Sequence, residues 1–344
     1  MKELQYRWLD AAWDGLQSVR ARLPHALLIY GPPQIGKREL AEHFAQSLLC
    51  ETPAPHGHPC GTCQACGWFS EGNHPDYRAI LPEALQPADS EATGDAEEGE
   101  GGAKSKTPSK EIKIDQVRAL DTFFSIGTHR GGAKVVLIYP ADALNMASGN
   151  ALLKTLEEPS AGTVFLLVTS HLDRLLPTIK SRAAKFAVAP PTPAAALTWL
   201  QEQGVRDPET ALAEAGGAPL AAAAQADNEV NAALHATLLD ALTGARAIDP
   251  VATAEKIDKA GNELVTLWLT QWVADLILYS SADKVRYHPR QIKAIEKLAA
   301  TADLPGLFKL YRDLIAARRV AGHPLNARLV AEDLLIDYAR VTHR

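Results

Sequence analysis

The chain has 344 residues, 47% of them apolar, and a formal net charge of −6. That length suits two or three domains with ordinary cores. The acidic balance excludes the global basic field of an autonomous nucleic-acid binder, and no apolar run approaches the roughly 18 residues of a membrane-spanning helix. The amino-terminal segment is polar and has no secretory apolar core. The expectation is a cytoplasmic chain, in which thiols stay reduced.

Residues 25–30, His-Ala-Leu-Leu-Ile-Tyr, form a short apolar run that reads as a buried strand. It leads into Gly-Pro-Pro-Gln-Ile-Gly-Lys-Arg at residues 31–38. The phosphate-binding loop of nucleotide hydrolases is G-x-x-x-x-G-K-[ST]. Gly31, Gly36 and Lys37 fit it, but Arg38 stands where the hydroxyl residue belongs. That hydroxyl holds magnesium beside the nucleotide, and a guanidinium cannot ligate a metal ion. Residues 37–50 then have helical spacing, with Leu40, Phe44, Leu48 and Leu49 on one face. Strand, glycine loop and helix follow in the order the motif requires. Lys37 is left with two readings: a phosphate contact at a helix N-terminus, or a relic held by packing. The expectation is a degenerate site that binds nucleotide weakly or not at all.

All four cysteines, Cys50, Cys60, Cys63 and Cys66, fall within 17 residues, spaced C-x9-C-x2-C-x2-C. Four thiolates so close together match a tetrahedral zinc site with no open position, hence a structural one. Disulfides do not suit a reducing compartment, and a redox C-x-x-C needs only two of the four. His56, His58 and His74 lie nearby as substitute ligands. A zinc-dependent DNA-binding module would need a basic face, and residues 60–76 contain no Lys or Arg.

Residues 82–110 are rich in Glu, Asp, Gly, Ala, Ser and Pro, with no large apolar side chain after Leu85. Such a stretch buries too little surface to offset its ordering entropy, which predicts a disordered surface insertion. Order resumes at Ile112, with a helix expected over 114–124, a strand over 135–139 and a helix over 145–158 stopped by Pro159. Strands over 163–169 and 184–188 follow, and Pro190, Pro191 and Pro193 close the region. Short apolar strands alternating with helices predict an α/β domain, a parallel sheet covered on both faces. A working nucleotide hydrolase ends its second motif strand in acidic residues that orient magnesium and water. Here the strand runs into Tyr139 and Pro140, and Asp142 lies beyond its end. Hydrolysis is therefore not expected.

Beyond Pro193 the pattern is helical: a small bundle from 194–203, 208–215 and 219–225, then longer amphipathic helices over 229–244, 250–280, 288–302, 305–321 and 324–342. This block contains Trp268 and Trp272 but no catalytic constellation, and it reads as a helical scaffold.

Three segments carry a family resemblance: Gly132-Ala133-Lys134-Val135-Val136; the run Asn-Ala-Leu-Leu-Lys-Thr-Leu-Glu-Glu-Pro at 150–159; and Ser181-Arg182-Ala183. Together they resemble the AAA+ clamp-loader family, and the cysteine module narrows the likeness to the bacterial loader. The degenerate loop and missing acidic pair look like its delta-prime branch and not its gamma/tau motor. The resemblance implies an AAA+ domain over 1–190 with a zinc module (50–66) and the insertion (82–110), a three-helix lid over 191–228, and an all-α collar over 229–344. It aligns the family's sensor threonine with Thr169, and it puts Leu220 where a second sensor arginine would stand. It makes Arg182 a finger offered in trans to a neighbour's ATP, where the alternative is a surface arginine near a helix end. It implies a hetero-pentamer with motor (gamma/tau) and clamp-opening (delta) subunits, which loads a sliding clamp onto primed DNA. The competing reading is an active AAA+ motor or helicase loader, against which Arg38, Tyr139 and Pro140 argue.

Overall fold

The computed structural model describes residues 4–86, 108–129, 132–244, 248–323 and 325–342. The chain separates into two units, Met1–Pro191 and Thr192–Arg344. The first contains α1 (Asp10–Arg20), β1 (Ala26–Tyr30), α2 (Lys37–Leu49), α3 (Gln64–Ser70), β2 (Tyr77–Ile80), α4 (Ile114–Ser125), β3 (Lys134–Ile138), α5 (Met146–Glu157), β4 (Thr163–Thr169), α6 (Pro177–Arg182) and β5 (Ala184–Ala187).

The five strands form one sheet in the order β2-β3-β4-β1-β5, every pair parallel. β3 and β4 are buried along their whole length and β1 nearly so, as their unbroken apolar runs require when helices cover both faces. Ala26, Leu28, Val136, Ile138, Phe165 and Leu167 share one core with Val117, Leu120 and Phe123 of α4 and Leu152 and Leu156 of α5. α2 packs against β1, β3 and β4 and buries Leu40 and Phe44.

β2 was not expected from the sequence. It has only four residues, lies at the sheet edge, and leaves Arg78 and Ala79 exposed, so it carries no apolar run. The expected insertion is also ordered at both ends. A 3-10 turn spans Glu83–Leu85, Ser109 N donates to Glu83 Oε2 at 3.1 Å, and Ala84 N donates to Ser109 O at 3.1 Å. Those bonds correct the disordered reading for its two ends. The rest of that expectation, residues 87–107, lies outside the described residues.

The second unit is helical: α7 (Pro193–Glu202), α8 (Pro208–Glu214), α9 (Pro219–Asp227), α10 (Glu229–Thr243), α11 (Pro250–Ile257), α12 (Gly261–Ala282), α13 (Ile292–Thr301), α14 (Leu304–Val320) and α15 (Ala327–Thr342). Proline opens α7, α8, α9 and α11, where the missing N–H costs nothing. Thr192, Asp207 and Asp249 cap three of these starts with side-chain oxygens. The helix expected over 250–280 is two helices, separated by a 3-10 turn and by Gly261 at φ 76°. α7, α8 and α9 enclose a small core of Ala196, Leu200, Leu212 and Ala222. The larger core centres on Trp272, whose Nε1 donates to the Tyr338 hydroxyl at 3.0 Å. Among the described residues no helix is long and apolar enough to cross a membrane.

Candidate functional site

The degenerate loop connects β1 to α2, so strand, loop and helix stand as the motif requires. Both motif glycines are held there by close packing. A Cβ on Gly31 would lie 2.4 Å from Val188 O. Gly36 sits at φ 89°, and a Cβ there would lie 2.5 Å from the Tyr6 ring. The segment before α1 covers the loop: Tyr6 stacks on Trp8 with ring centroids 4.9 Å apart, and Trp8 Nε1 donates to Ile35 O at 2.9 Å.

Lys37 is 4% exposed. Its Nζ donates to the Pro32 carbonyl and to Ser170 Oγ at 2.9 Å. Burial lowers its pKa from the ordinary 10.5 to about 8, although the charges of Asp142 and Glu39 pull the other way. The ammonium that would grip phosphate is therefore folded onto its own loop. Thr169, fully buried at the end of β4, donates to Asp142 Oδ1 at 2.5 Å and accepts from His171 N at 3.0 Å. Asp142 thus reaches back into the pocket from the turn after β3, although it lies beyond the strand end in the sequence. Arg38 Nε bonds Glu42 Oε1 at 2.8 Å, and its guanidinium lies 5.7 Å from the centre of the Tyr139 ring. Burial, foremost, pushes the Tyr139 phenol upward. Where a hydrolase has a metal-binding hydroxyl, this pocket has Arg38 over the Tyr139 ring, and the Asp142 carboxylate is taken up by Thr169.

Gly31, Gly36, Lys37 and Thr169 come together at the ends of β1 and β4. Arg182 has different partners. It is the last residue of α6; Nη1 donates to Thr178 O at 3.1 Å and Nη2 to Glu157 Oε1. Its side chain is about one-third exposed, at 34%. Glu157 lies inside the run that carried the resemblance, and its contact with Arg182 was not anticipated.

The four thiols converge. Their sulfurs all lie within 4.8 Å of one another, with Cys50 Sγ 3.9 Å from Cys63 Sγ and Cys60 Sγ 4.0 Å from Cys66 Sγ. A tetrahedral thiolate site with metal–sulfur bonds near 2.3 Å spaces its sulfurs by about 3.8 Å. Backbone N–H groups already point at the sulfurs: Cys60 N at Cys50 Sγ, Cys63 N at Cys60 Sγ and Cys66 N at Cys63 Sγ, at 3.3–3.4 Å. The Thr52 hydroxyl and then the Thr62 and Cys63 amides lower the Cys60 pKa to about 5. Burial pushes the Cys50 and Cys66 thiols up. A bound cation resolves that opposition by stabilising all four thiolates together, so the donor set fits a metal ion. The neighbouring histidines have other partners. His58 Nδ1 bonds His43 Nε2 at 2.9 Å and its ring stacks on Trp13, His74 Nδ1 accepts from Asp76 N, and the His56 carbonyl accepts from Trp13 Nε1.

A family profile described as DNA polymerase III, delta subunit, matches residues 14–192, and one described as DNA polymerase III, delta subunit, C terminal, matches residues 232–340. A DNA polymerase III subunit delta' of Pseudomonas aeruginosa is 40% identical over 281 residues, 80% of this chain and 77% of its own length. The chain belongs to the delta-prime family of DNA polymerase III subunits. The delta' subunit of Yersinia pestis is 30% identical over 327 residues, 91% of this chain and 88% of its own length. A gamma subunit-related protein of Thermotoga maritima superposes with a TM-score of 0.50 at 17% identity, covering 96% of this chain and 99% of that one, a likeness of fold alone. The parallel sheet, its helices and the helical C-terminal region are thus an AAA+ clamp-loader architecture, as the resemblance implied.

Proposed function

We propose that this delta-prime family chain is a non-hydrolysing subunit of the replicative clamp loader, which loads the sliding clamp onto primed DNA. The observation that carries the reading is the engagement of the buried Lys37 side chain by Pro32 O of its own loop and by Ser170 just beyond β4. Arg38, Tyr139 and Pro140 support it, since they stand where magnesium and the attacking water would be organised. The nucleotide pocket around Gly31, Gly36 and Lys37 then serves as packed structure, with nucleotide bound weakly or not at all. Thr169 is a vestigial sensor, tied to Asp142.

Chemistry passes to the neighbour. Arg182 is offered in trans to the ATP of the adjoining motor subunit, where a guanidinium stabilises charge developing on the γ-phosphate. Two of its five donors are engaged, by Thr178 O and Glu157, so three remain for phosphate oxygens. The assembly is a hetero-pentamer with motor (gamma/tau) and clamp-opening (delta) subunits, in the cytoplasm. Residues 191–228 act as the lid and 229–344 as the collar that joins the subunits. Cys50, Cys60, Cys63 and Cys66 hold structural zinc, which the chemistry of four clustered thiols suits best.

The test uses the purified chain and the reconstituted loader. The chain alone shows no ATP turnover above background, and turnover at a motor's rate sinks the reading. In the complex, Arg182→Ala lowers DNA-dependent ATP turnover, by up to about 10³-fold at the site it serves, and leaves assembly intact by gel filtration. Unchanged turnover removes the finger from the proposal.

A further inference from the structure

Arg182 is the last residue of α6 and Glu157 the last of α5, 25 positions apart, and their side chains meet in an ion pair. The framework beneath them is tightly built. Gly149 of α5 is buried, and a Cβ there would lie 2.4 Å from Leu176 Cδ1, at the entry to α6. Ile179 of α6 is fully buried in the core that Leu152 and Leu156 of α5 also enter. Packing therefore sets the spacing of the two helix ends, and the carboxylate adds the final restraint on the guanidinium. The helix dipole is negative at the end of α5 and disfavours an acid there. The cation that Glu157 pairs with is Arg182.

An arginine loses considerable rotamer freedom when its head is fixed. Here Nη1 on Thr178 O and Nη2 on Glu157 fix the plane of the guanidinium before any phosphate arrives. The pair is partly exposed, at 34% for Arg182 and 51% for Glu157, so its energy is small. Its consequence is geometric, and catalysis by a finger depends on geometry.

We propose that Glu157 is the positioning residue for Arg182, setting the rotamer from which the guanidinium meets the neighbouring subunit's nucleotide. This rests on Arg182 being the finger, as proposed above. Glu157 itself touches no substrate and acts only through the arginine.

The experiment measures DNA- and clamp-dependent ATP turnover of the reconstituted loader with wild type, E157A, E157Q, R182A and the E157A/R182A double variant. E157A lowers kcat by about two- to five-fold, the effect of losing an exposed pair, at unchanged KM for ATP. E157Q keeps an acceptor oxygen and recovers part of the loss. In the R182A background, E157A subtracts nothing more. The inference is overturned if E157A turns over at or above the wild-type rate while R182A is impaired. It is overturned too if E157A costs as much in the R182A background, since Glu157 then acts on the fold. Wild-type turnover by R182A instead removes the finger, and this inference with it.

Discussion

Lys37 shows how a nucleotide-binding residue persists after its chemistry is gone. Its buried side chain donates to Pro32 O and Ser170 Oγ in part-buried hydrogen bonds, so removing it leaves those acceptors unpaired and does not vacate a ligand site. Lys37→Met should therefore cost about 1–3 kcal/mol of stability by denaturant titration and leave the loader's ATP turnover unchanged. The pH dependence gives a sharper signature. The folded-state pKa is lowered from 10.5 to about 8, so between those values the unfolded chain binds more protons than the native one. Native stability contributed at this position therefore rises as pH increases from about 8 to 10.5, by at most ~1.4 kcal/mol per pH unit. The stability difference between wild type and Lys37→Met should widen over that window, and a flat difference would contradict the burial described. The loop's degeneracy was legible in the sequence, because a motif names the residues it lacks. The partners of Lys37 were not: Ser170 is 133 positions away and Asp142, which bonds Thr169, lies beyond a strand end. Only the parallel pairing of β4 with both β1 and β3 brings those ends together.

At the level of elements, the cysteine module joins the end of α2 to the start of α3. Cys50 is the C-cap of α2, Cys63 is the N-cap of α3, and Cys66 lies within α3. α3 has seven residues, too few to persist alone in water. Its stability must come from the clustered sulfurs, which could hold a metal ion, and from packing of Ala65 and Cys66. Cys63→Ser should accordingly abolish stoichiometric metal in native mass spectrometry and speed amide exchange across α3, while β1, β3 and β4 stay protected. Exchange loss spreading through the sheet would instead make the module part of the main core. The four-cysteine spacing showed this site from the sequence because metal geometry tolerates few arrangements. The central strands were equally legible, being unbroken apolar runs. β2 was not, because an edge strand of four residues with two exposed positions follows no period. Gly261 did offer a readable break in the helix expected over 250–280, since glycine past a helix end is a common stop.

Across the whole molecule, the division into two units falls at Pro191 and not between the two helical sets of the second unit. α8 explains why those sets cohere. Its cap Asp207 pairs with Arg290, and near its other end Glu214 O accepts from Gln271 Nε2 at 2.8 Å. The Glu214 carboxylate lies 3.8 Å from His235 Nδ1. His235 stacks on Trp268 at 4.8 Å and faces His288 at 5.8 Å, and the latter's Nδ1 bonds Asp275 at 2.9 Å. His235 Nε2 is buried without a hydrogen-bond partner among the described residues, so a proton added there would be buried unpaired. Burial, helped by His288, lowers the His235 pKa from 6.5 to about 4, and burial raises that of Glu214. A neutral imidazole thus belongs to the native state. Below pH 6.5 the unfolded histidine takes up a proton that the native one refuses, so stability falls as pH drops from 6.5 toward 4. His235→Phe keeps an aromatic ring against Trp268 and cannot titrate. The stability advantage of wild type over this variant, by urea unfolding, should shrink by up to ~1.4 kcal/mol per pH unit across that window. A constant difference would mean that folding leaves the His235 pKa at its ordinary value, and a difference that grows as pH falls would mean that His235 is protonated in the folded chain and forms an ion pair with Glu214.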